Sequence, residues 1–310
     1  MNIPITQSKA WQQLQSDLKE TSFFEQTSDF QYLAILKSTP VGNYLYLPYG
    51  PVAGTKTAFT KALKSLQTLG KTHSAIFIRI EPQSPKIAKY LPKTAKKSTD
   101  LNPKETWVLD LTGNDEDLKA KLPSRLLRYY KSAEKKGITI KTSHDPAGIH
   151  YLLDLQKALA SKKGINTFSE DYLKTELSQP FSTLYLAKYQ NPETNREEIV
   201  AAGLVFDDKT TRYNLQGAQN DTGRKLHATG ILTIQLILDA KAKNLQTFDF
   251  WGIAPEGAPA THPWAGFTNF KKTFAGTEVD YAGTYDIILN PAKYRLYQAT
   301  RKLNRFIRKH

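Results

Sequence analysis

The sequence has no cysteine, a single methionine and no long uninterrupted apolar run. Without thiols it has no disulfide framework, no thiolate metal site and no cysteine nucleophile. No stretch approaches ~18 consecutive apolar residues, so none reads as a membrane span. The opening residues, MNIPITQSKAWQQLQ, lack a basic stretch followed by an apolar core. They do not read as a secretory leader, and the expectation is a cytoplasmic protein. The six histidines (73, 144, 150, 227, 262 and 310) form no i, i+4 pair to hold a metal. The G-x-G-x-x-G, G-x-S-x-G and H-E-x-x-H patterns are missing as well. Gly50-Pro-Val-Ala-Gly-Thr-Lys-Thr57 is misspaced for a phosphate loop, since Thr55 separates the second glycine from Lys56.

Acidic residues are also in deficit. Twenty-nine Asp and Glu face forty-three Lys and Arg, leaving a formal net charge of +14. Such an excess favours polyanionic partners: nucleic acid, nucleotide phosphates or an anionic membrane surface. Hydrophobic residues make up 40% of 310. That is globular composition with room for two domains of ~100–200 residues each.

Strand and helix signals alternate along the chain. Gln31–Lys37 and Asn43–Pro48 read as adjacent strands about the turn residues Pro40 and Gly42. Phe59, Leu63, Leu66 and Leu69 predict an amphipathic helix over 57–69 that ends at Gly70. Ser74–Ile80 is a strand, and the lysine- and proline-rich residues 83–104 read as an exposed loop or flap. Trp107–Leu111 resumes strand character. Residues 115–137 read as helical, restarting at Pro123. The second half predicts helices over 151–162, ending at Gly164, and 169–177. Strands follow over 183–189, 199–207 and 211–217, then a helix over 226–242 and a strand over 247–252. The two halves share this order, which points to an α+β protein with two related domains.

One C-terminal stretch carries more. Phe248-Asp-Phe-Trp-Gly-Ile253 precedes His262-Pro-Trp-Ala-Gly-Phe-Thr-Asn-Phe-Lys-Lys-Thr-Phe-Ala-Gly276. Tyr281-Ala-Gly-Thr-Tyr-Asp286 and Asn290-Pro-Ala-Lys-Tyr-Arg-Leu-Tyr297 follow. In order and spacing these resemble the C-terminal signature of the Fem aminoacyltransferases, with Ala275 where the family usually has Gly. Upstream, Gln7-Ser-Lys-Ala-Trp11, Leu47-Pro-Tyr-Gly-Pro51, Ile78-Arg-Ile-Glu-Pro82 and the segment from Arg128 to Gly137 also resemble family segments, so the likeness spans nearly the whole chain. It implies two acetyltransferase-like (GNAT) domains, the second inserted before a C-terminal helix that returns to the first. The expected division is 1–142 plus 283–310, a muropeptide-binding domain, and 143–282. Residues 179–209 read as strand–turn–strand, so the helical-hairpin arm of some members is expected to be missing.

The reaction that the resemblance implies is transfer of an amino acid from aminoacyl-tRNA to the stem-peptide amine of a peptidoglycan precursor, lipid-linked or UDP-linked. It needs no metal or organic cofactor. An aminoacyl ester is already activated, so the protein has to position the amine and steady an oxyanion. By the resemblance, Lys271 and Phe270 of the Phe270-Lys271 pair are the catalytic candidates, Lys271 as the cation. Asp110, on the 107–111 strand, is a candidate proton acceptor. Arg224 and Lys225, at the start of the 226–242 helix, are candidate phosphate ligands. The family's first-helix lysine has no counterpart at Gln15, and Lys19 is a weak substitute. Arg125, Arg128, Lys131 and Lys135 form the densest basic face and the candidate tRNA contact. The tail sets Tyr294, Tyr297, Leu303, Phe306 and Ile307 against Arg295, Arg301, Lys302, Arg305, Arg308 and Lys309. It reads as a helix docked on the first domain, or as a peripheral contact with the inner membrane surface. Two other readings stand beside this one. The first is an acyl-CoA-dependent GNAT N-acyltransferase, although Gln219-Asn-Asp-Thr-Gly223 is misspaced for the pyrophosphate loop. The second is a non-catalytic nucleic-acid-binding module.

Overall fold

A computed structural model describes residues 3–163 and 167–307, with the side chains of 159–163 and 303–307 outside the description. The chain divides into two compact units, residues 1–104 with 280–310 and residues 105–279. The first opens with α1 (Lys9–Asp17), whose first turn is capped by Ser8 accepting from the Trp11 amide. Then come β1 (Ser22–Gln26), β2 (Phe30–Thr39), β3 (Gly42–Leu47) and β4 (Val52–Ala53). Next are α2 (Lys56–Thr72), β5 (Phe77–Ile80) and β6 (Lys96–Lys97). Thr55 caps α2, and Phe59, Leu63 and Leu66 bury its inner face. The helix does not end at Gly70. It runs two residues further, and Gly70 serves close packing instead, since a Cβ there would lie 2.5 Å from Leu289.

Residues 83–104 are not the exposed flap that their lysines and prolines suggest. Ile87 is buried in the first unit's core with Tyr90 and Leu91 against it. Asn102 donates to the Glu81 carboxylate and the Tyr46 hydroxyl. Three apolar side chains and one amide pin a segment whose composition is otherwise that of a loop.

The second unit runs through β7 (Glu105–Asp110), α3 (Asp115–Lys121), α4 (Ser124–Lys131), β8 (Ile138–Ser143), α5 (Ile149–Lys163) and α6 (Glu170–Leu177). It continues with β9 (Ser182–Gln190), β10 (Glu197–Asp207), β11 (Thr211–Gln219), α7 (Asp221–Lys225), α8 (Ala228–Ala242), β12 (Thr247–Gly252), α9 (Ala265–Lys271) and β13 (Thr277–Asp280). Its sheet has the order β13-β7-β12-β11-β10-β9-β8. The boundary therefore falls at 104/105 and not at 142/143, because β7 pairs with β12 and β8 with β9 inside this sheet. Likewise it falls at 279/280 and not at 282/283. β9 and β10 form a hairpin closed by Asn191 and Arg196, with no helical arm between them. The predicted 226–242 helix begins two residues late, as α8 at Ala228, because His227 adopts a left-handed conformation that separates it from the short α7 before it. The predicted stop at Gly164 lies outside the described residues.

α8 packs on one face of this sheet, with Ile231, Ile234 and Ile237 against Phe248 and Phe250. α5 and α6 cover the other face, where Gln216 of β11 bonds to both. At Gly223 a Cβ would overlap the Val200 carbonyl oxygen. Gly223→Ala is expected to cost about 1–3 kcal/mol by overpacking against a rigid strand, read as a lowered midpoint in urea.

The chain returns to the first unit as β14 (Tyr285–Ile288) and α10 (Pro291–Ile307). β14 completes the sheet order β1-β2-β3-β5-β14-β6, with β4 on β2. Arg79 and Asp286, both fully buried, meet across the β5–β14 pair in a bidentate ion pair of 2.8 and 2.9 Å. Tyr294 of α10 donates to the same carboxylate at 2.9 Å. Tyr297 lies 4.9 Å from the Phe77 ring. α10 thus docks its aromatic side on the first unit, while the tail residues Leu303, Arg305, Phe306, Ile307, Arg308 and Lys309 fall outside the described side chains.

Candidate active site

β12 ends in a bulge. Its register with β7 slips between Asp249 and Gly252, and Trp251 takes φ +68°, a left-handed value. The Asp249 carboxylate steadies the bulge by accepting the Trp251 amide at 2.7 Å. Bulges of this kind re-aim backbone groups beside reactive sites. Here the redirected Gly252 carbonyl accepts the Lys271 Nζ at 2.6 Å. Lys271 is the last residue of α9, and the Thr268 hydroxyl ties that helix to the β12 exit by accepting from the Ala254 amide at 2.8 Å. Phe274, fully buried, anchors the segment against Phe250 and Phe270. Phe270 is therefore a packing residue that fixes its neighbour and is not itself presented as a catalytic group.

Burial weakens both charges of this pair. The Lys271 ammonium is pushed down to about 8 by desolvation, against the pull of Asp249. The Asp249 carboxyl is pushed up to about 7 by desolvation, against the Trp251 amide and Lys271. A half-buried ammonium near its titration point can both stabilise an adjacent oxyanion and exchange a proton near neutrality. Asp249 sits in the D-x-x-G-I motif, but sequence alone assigned it no role. Its burial is set by Phe248 and Phe250 pointing to the α8 core, which turns Asp249 to the other face.

Asp110 is not brought to this pair. It lies opposite Thr247, at the far end of β12 from Gly252 and roughly 16 Å away at ~3.3 Å per residue. Its carboxylate is exposed and accepts the Thr112 amide and hydroxyl, with Lys121 at 3.1 Å. The Thr112 bonds first, then Lys121, hold it down at about 2, too weak a base to take a proton at neutral pH. It closes a turn.

Arg224 and Lys225 are exposed, but they stand in the last turn of the five-residue α7 and not at the start of α8. Arg224 keeps a loose 3.6 Å contact with Asp221. Lys19, in the other unit, lies beyond the end of α1 in a left-handed conformation and is exposed. Gln15 is buried, so that position presents no group to a ligand.

Arg125, Arg128 and Lys131 lie exposed on α4, with Lys135 in the 3₁₀ turn that follows. The structure adds two rings to this face. Arg125 Nε donates to the Tyr129 hydroxyl at 2.8 Å. Tyr129 stacks on His227 at 4.3 Å with 5° between planes, and Lys136 lies 5.4 Å from the Tyr129 ring. Cations around stacked rings suit a polyanion that also offers bases to stack on. His227 joins this group only because of its left-handed turn, a feature that its sequence neighbourhood does not signal. Among the described residues no helix is long and apolar enough to cross a membrane.

The FemAB family model matches residues 174–302. That span contains β12, the bulge and Lys271. FemX is similar in fold over 95% of this chain and 94% of its own, with a TM-score of 0.81 at 17% identity. L-PGS from Bacillus licheniformis covers 98% and 99% with a TM-score of 0.57 at 14% identity. A tandem GNAT protein from the clavulanic acid biosynthesis pathway covers 86% and 82%, with a TM-score of 0.51 at 11% identity. No curated protein matches the sequence significantly. The family likeness read from the motifs is borne out over residues 174–302, which the FemAB family model matches, and the fold is a two-unit, acetyltransferase-like α+β one.

Proposed function

We propose that the protein is an aminoacyltransferase that moves an amino acid from aminoacyl-tRNA to the stem-peptide amine of a peptidoglycan precursor. The observation that carries this reading is Lys271. It is the lysine of the family's F-K segment, half-buried and aimed by the Gly252 carbonyl beside Asp249.

In the proposed reaction the stem-peptide amine attacks the ester carbon, and the C–N bond forms while the carbonyl electrons move onto oxygen. The Lys271 ammonium steadies that oxyanion in a site of low dielectric. As the C–O bond to the ribose breaks, the departing oxygen takes a proton from Lys271, which recovers one from the new ammonium. Holding amine and ester in a near-attack pose contributes ~7–11 kcal/mol, so no protein nucleophile is needed. Arg224 and Lys225 are assigned to the precursor's phosphates, and the α4 face to the tRNA backbone.

The deciding assay offers a mixed pool of charged tRNAs with UDP-muropeptide or its lipid-linked form, with acetyl-CoA in a parallel arm, and reads products by mass. One added amino-acid residue supports the reading. Acetylation from the thioester, with charged tRNA ignored, overturns it in favour of an acyl-CoA N-acyltransferase. The α4 assignment has its own check. Arg125→Glu with Arg128→Glu is expected to weaken tRNA binding and to flatten its log K against log salt slope by about 1.5, two phosphate contacts at ~0.7–0.9 each. An unchanged slope places the tRNA elsewhere.

A further inference from the structure

On the α5/α6 face of the second sheet lies a buried carboxylate with no cationic partner. Glu176 of α6 is 3% exposed. Its Oε2 accepts the Gln216 Nε2 at 3.1 Å, and the Tyr172 hydroxyl lies against the same carboxyl. No basic side chain pairs with it among the described residues. Buried carboxylates are ordinarily paired, and an unpaired one is costly.

The polar chain continues outward. Gln156 Nε2 donates to Gln216 Oε1 at 3.0 Å, and the buried Gln156 Oε1 has no hydrogen-bond partner among the described residues. Glu176 Oε2 accepts, so Gln216 presents its NH₂ to it and its oxygen to Gln156. Gln156 then spends its NH₂ on Gln216, and its own oxygen is left over. Among the described residues the network lacks a donor at Gln156 and a cation at Glu176, and a ligand that supplies both would complete it.

Its place in the fold matters too. The β11–β12 ladder stops at the Tyr213–Asp249 pair, and β11 carries a register shift between Asn214 and Gln216. Gln216 lies past that stop on one strand, and Trp251 with Gly252 past it on the other. Asp249 and Gln216 share the face opposite α8, so the amide network and the Lys271 site adjoin the same break in the sheet. Gln156, Gln216 and Tyr172 are half-buried, leaving the network open on that side.

From the unpaired carboxylate and the leftover acceptor, we propose that Glu176, with Gln216 and Gln156, receives the ammonium group of the aminoacyl donor. This rests on the aminoacyl-transfer reading above and makes Glu176 a donor-recognition residue. Desolvation raises the Glu176 carboxyl to about 8. A bound ammonium would keep it ionised, so binding through this group carries proton release near neutrality.

The test compares wild type with Glu176→Gln on two donors, aminoacyl-tRNA and its N-acetylated form, which lacks the ammonium. The wild type is expected to prefer the free-amine donor in kcat/KM. Glu176→Gln should lose about 10- to 100-fold on the free-amine donor, and little on the acetylated one. Equal losses on both donors, or none, would overturn the proposal while leaving the transferase reading intact. A wild type that transfers from neither donor sinks the reading itself.

A binding arm decides the ammonium site independently of turnover. Amino-acid amides and their N-acetyl counterparts are titrated by calorimetry against wild type and Gln156→Leu. That substitution removes the unpaired acceptor together with the donor to half-buried Gln216, and is expected to fold. The free-amine amides should bind the wild type, the acetylated ones should not, and Gln156→Leu should weaken the former. Indifference to the amine in the wild type overturns the site.

Discussion

Lys271→Met is expected to lower turnover by about 10²–10³, the usual loss on removing one group aimed at an oxyanion. The fold should survive, because the lysine's hydrogen bond to Gly252 closes no core and Phe274 anchors the segment. The pH profile provides the sharper signature. Lys271 is pushed down to about 8, so its ammonium is lost as pH rises through that value. The rate at saturating substrates should therefore fall above about pH 8, where a lysine at its ordinary pKa would hold its charge to ~10. Lys271→Arg keeps a charge throughout. It should be slower, but with the alkaline limb displaced beyond pH 9. A methionine variant with undiminished turnover, or an alkaline limb that arginine does not move, removes Lys271 from the chemistry.

The largest stability loss is expected from Asp286→Ala. The substitution strands the Arg79 guanidinium in a fully buried position, with the Ser98 hydroxyl at 3.0 Å and the faces of Tyr44 and Phe77 left to it. It also deprives the Tyr294 hydroxyl of its acceptor. Breaking such a pair from one side costs about 3–5 kcal/mol. Tyr294→Phe removes only a neutral donor and should cost about 1 kcal/mol. Urea unfolding followed by fluorescence should show the first unit's transition moved down strongly by the former and slightly by the latter. Equal midpoints for Asp286→Ala and wild type would mean that the pair does not hold β5 to β14.

These two expectations separate motifs that look alike in the sequence. The segments behind the family likeness have different jobs. Gln7 of the Q-S-x-x-W segment spends its amide on the Leu33 amide and the Pro48 carbonyl, at 2.9 and 2.7 Å. Arg79 and Glu81 of R-I-E-P, Thr284 and Asp286 of G-T-Y-D, and Tyr294 of N-P-x-x-Y form two buried networks that close the first sheet. D-x-x-G-I and F-K instead bring Asp249 and Lys271 together at the bulge. Motif order is as informative about folding devices as about chemistry, and burial is needed to tell them apart.

Local rules were enough for much of the chain. The Ser169 cap of α6 accepts the Tyr172 amide, Pro123 marks the restart at α4, and the 31–37 and 43–48 strands pair as expected. Each depends on neighbours a few residues away. What could not be read locally were features made by partners far along the chain. Residues 83–104 are held by Glu81 and by β14, and the first boundary moved to 104/105 because β7 finds its partner about 140 residues later.

The order of helices and strands, the basic excess, the family likeness and the choice of Lys271 followed from the sequence by itself. The first two rest on side-chain periodicity, charge and short-range turn chemistry, the last two on the resemblance of the motifs and their order to a known family. Only the tertiary structure decided that Asp110 closes a turn, that Asp249 is the carboxyl facing Lys271, and that Glu176 lies buried without a counter-charge among the described residues. Those outcomes depend on desolvation and on which face of a strand meets which helix, quantities that exist only after distant segments have packed together.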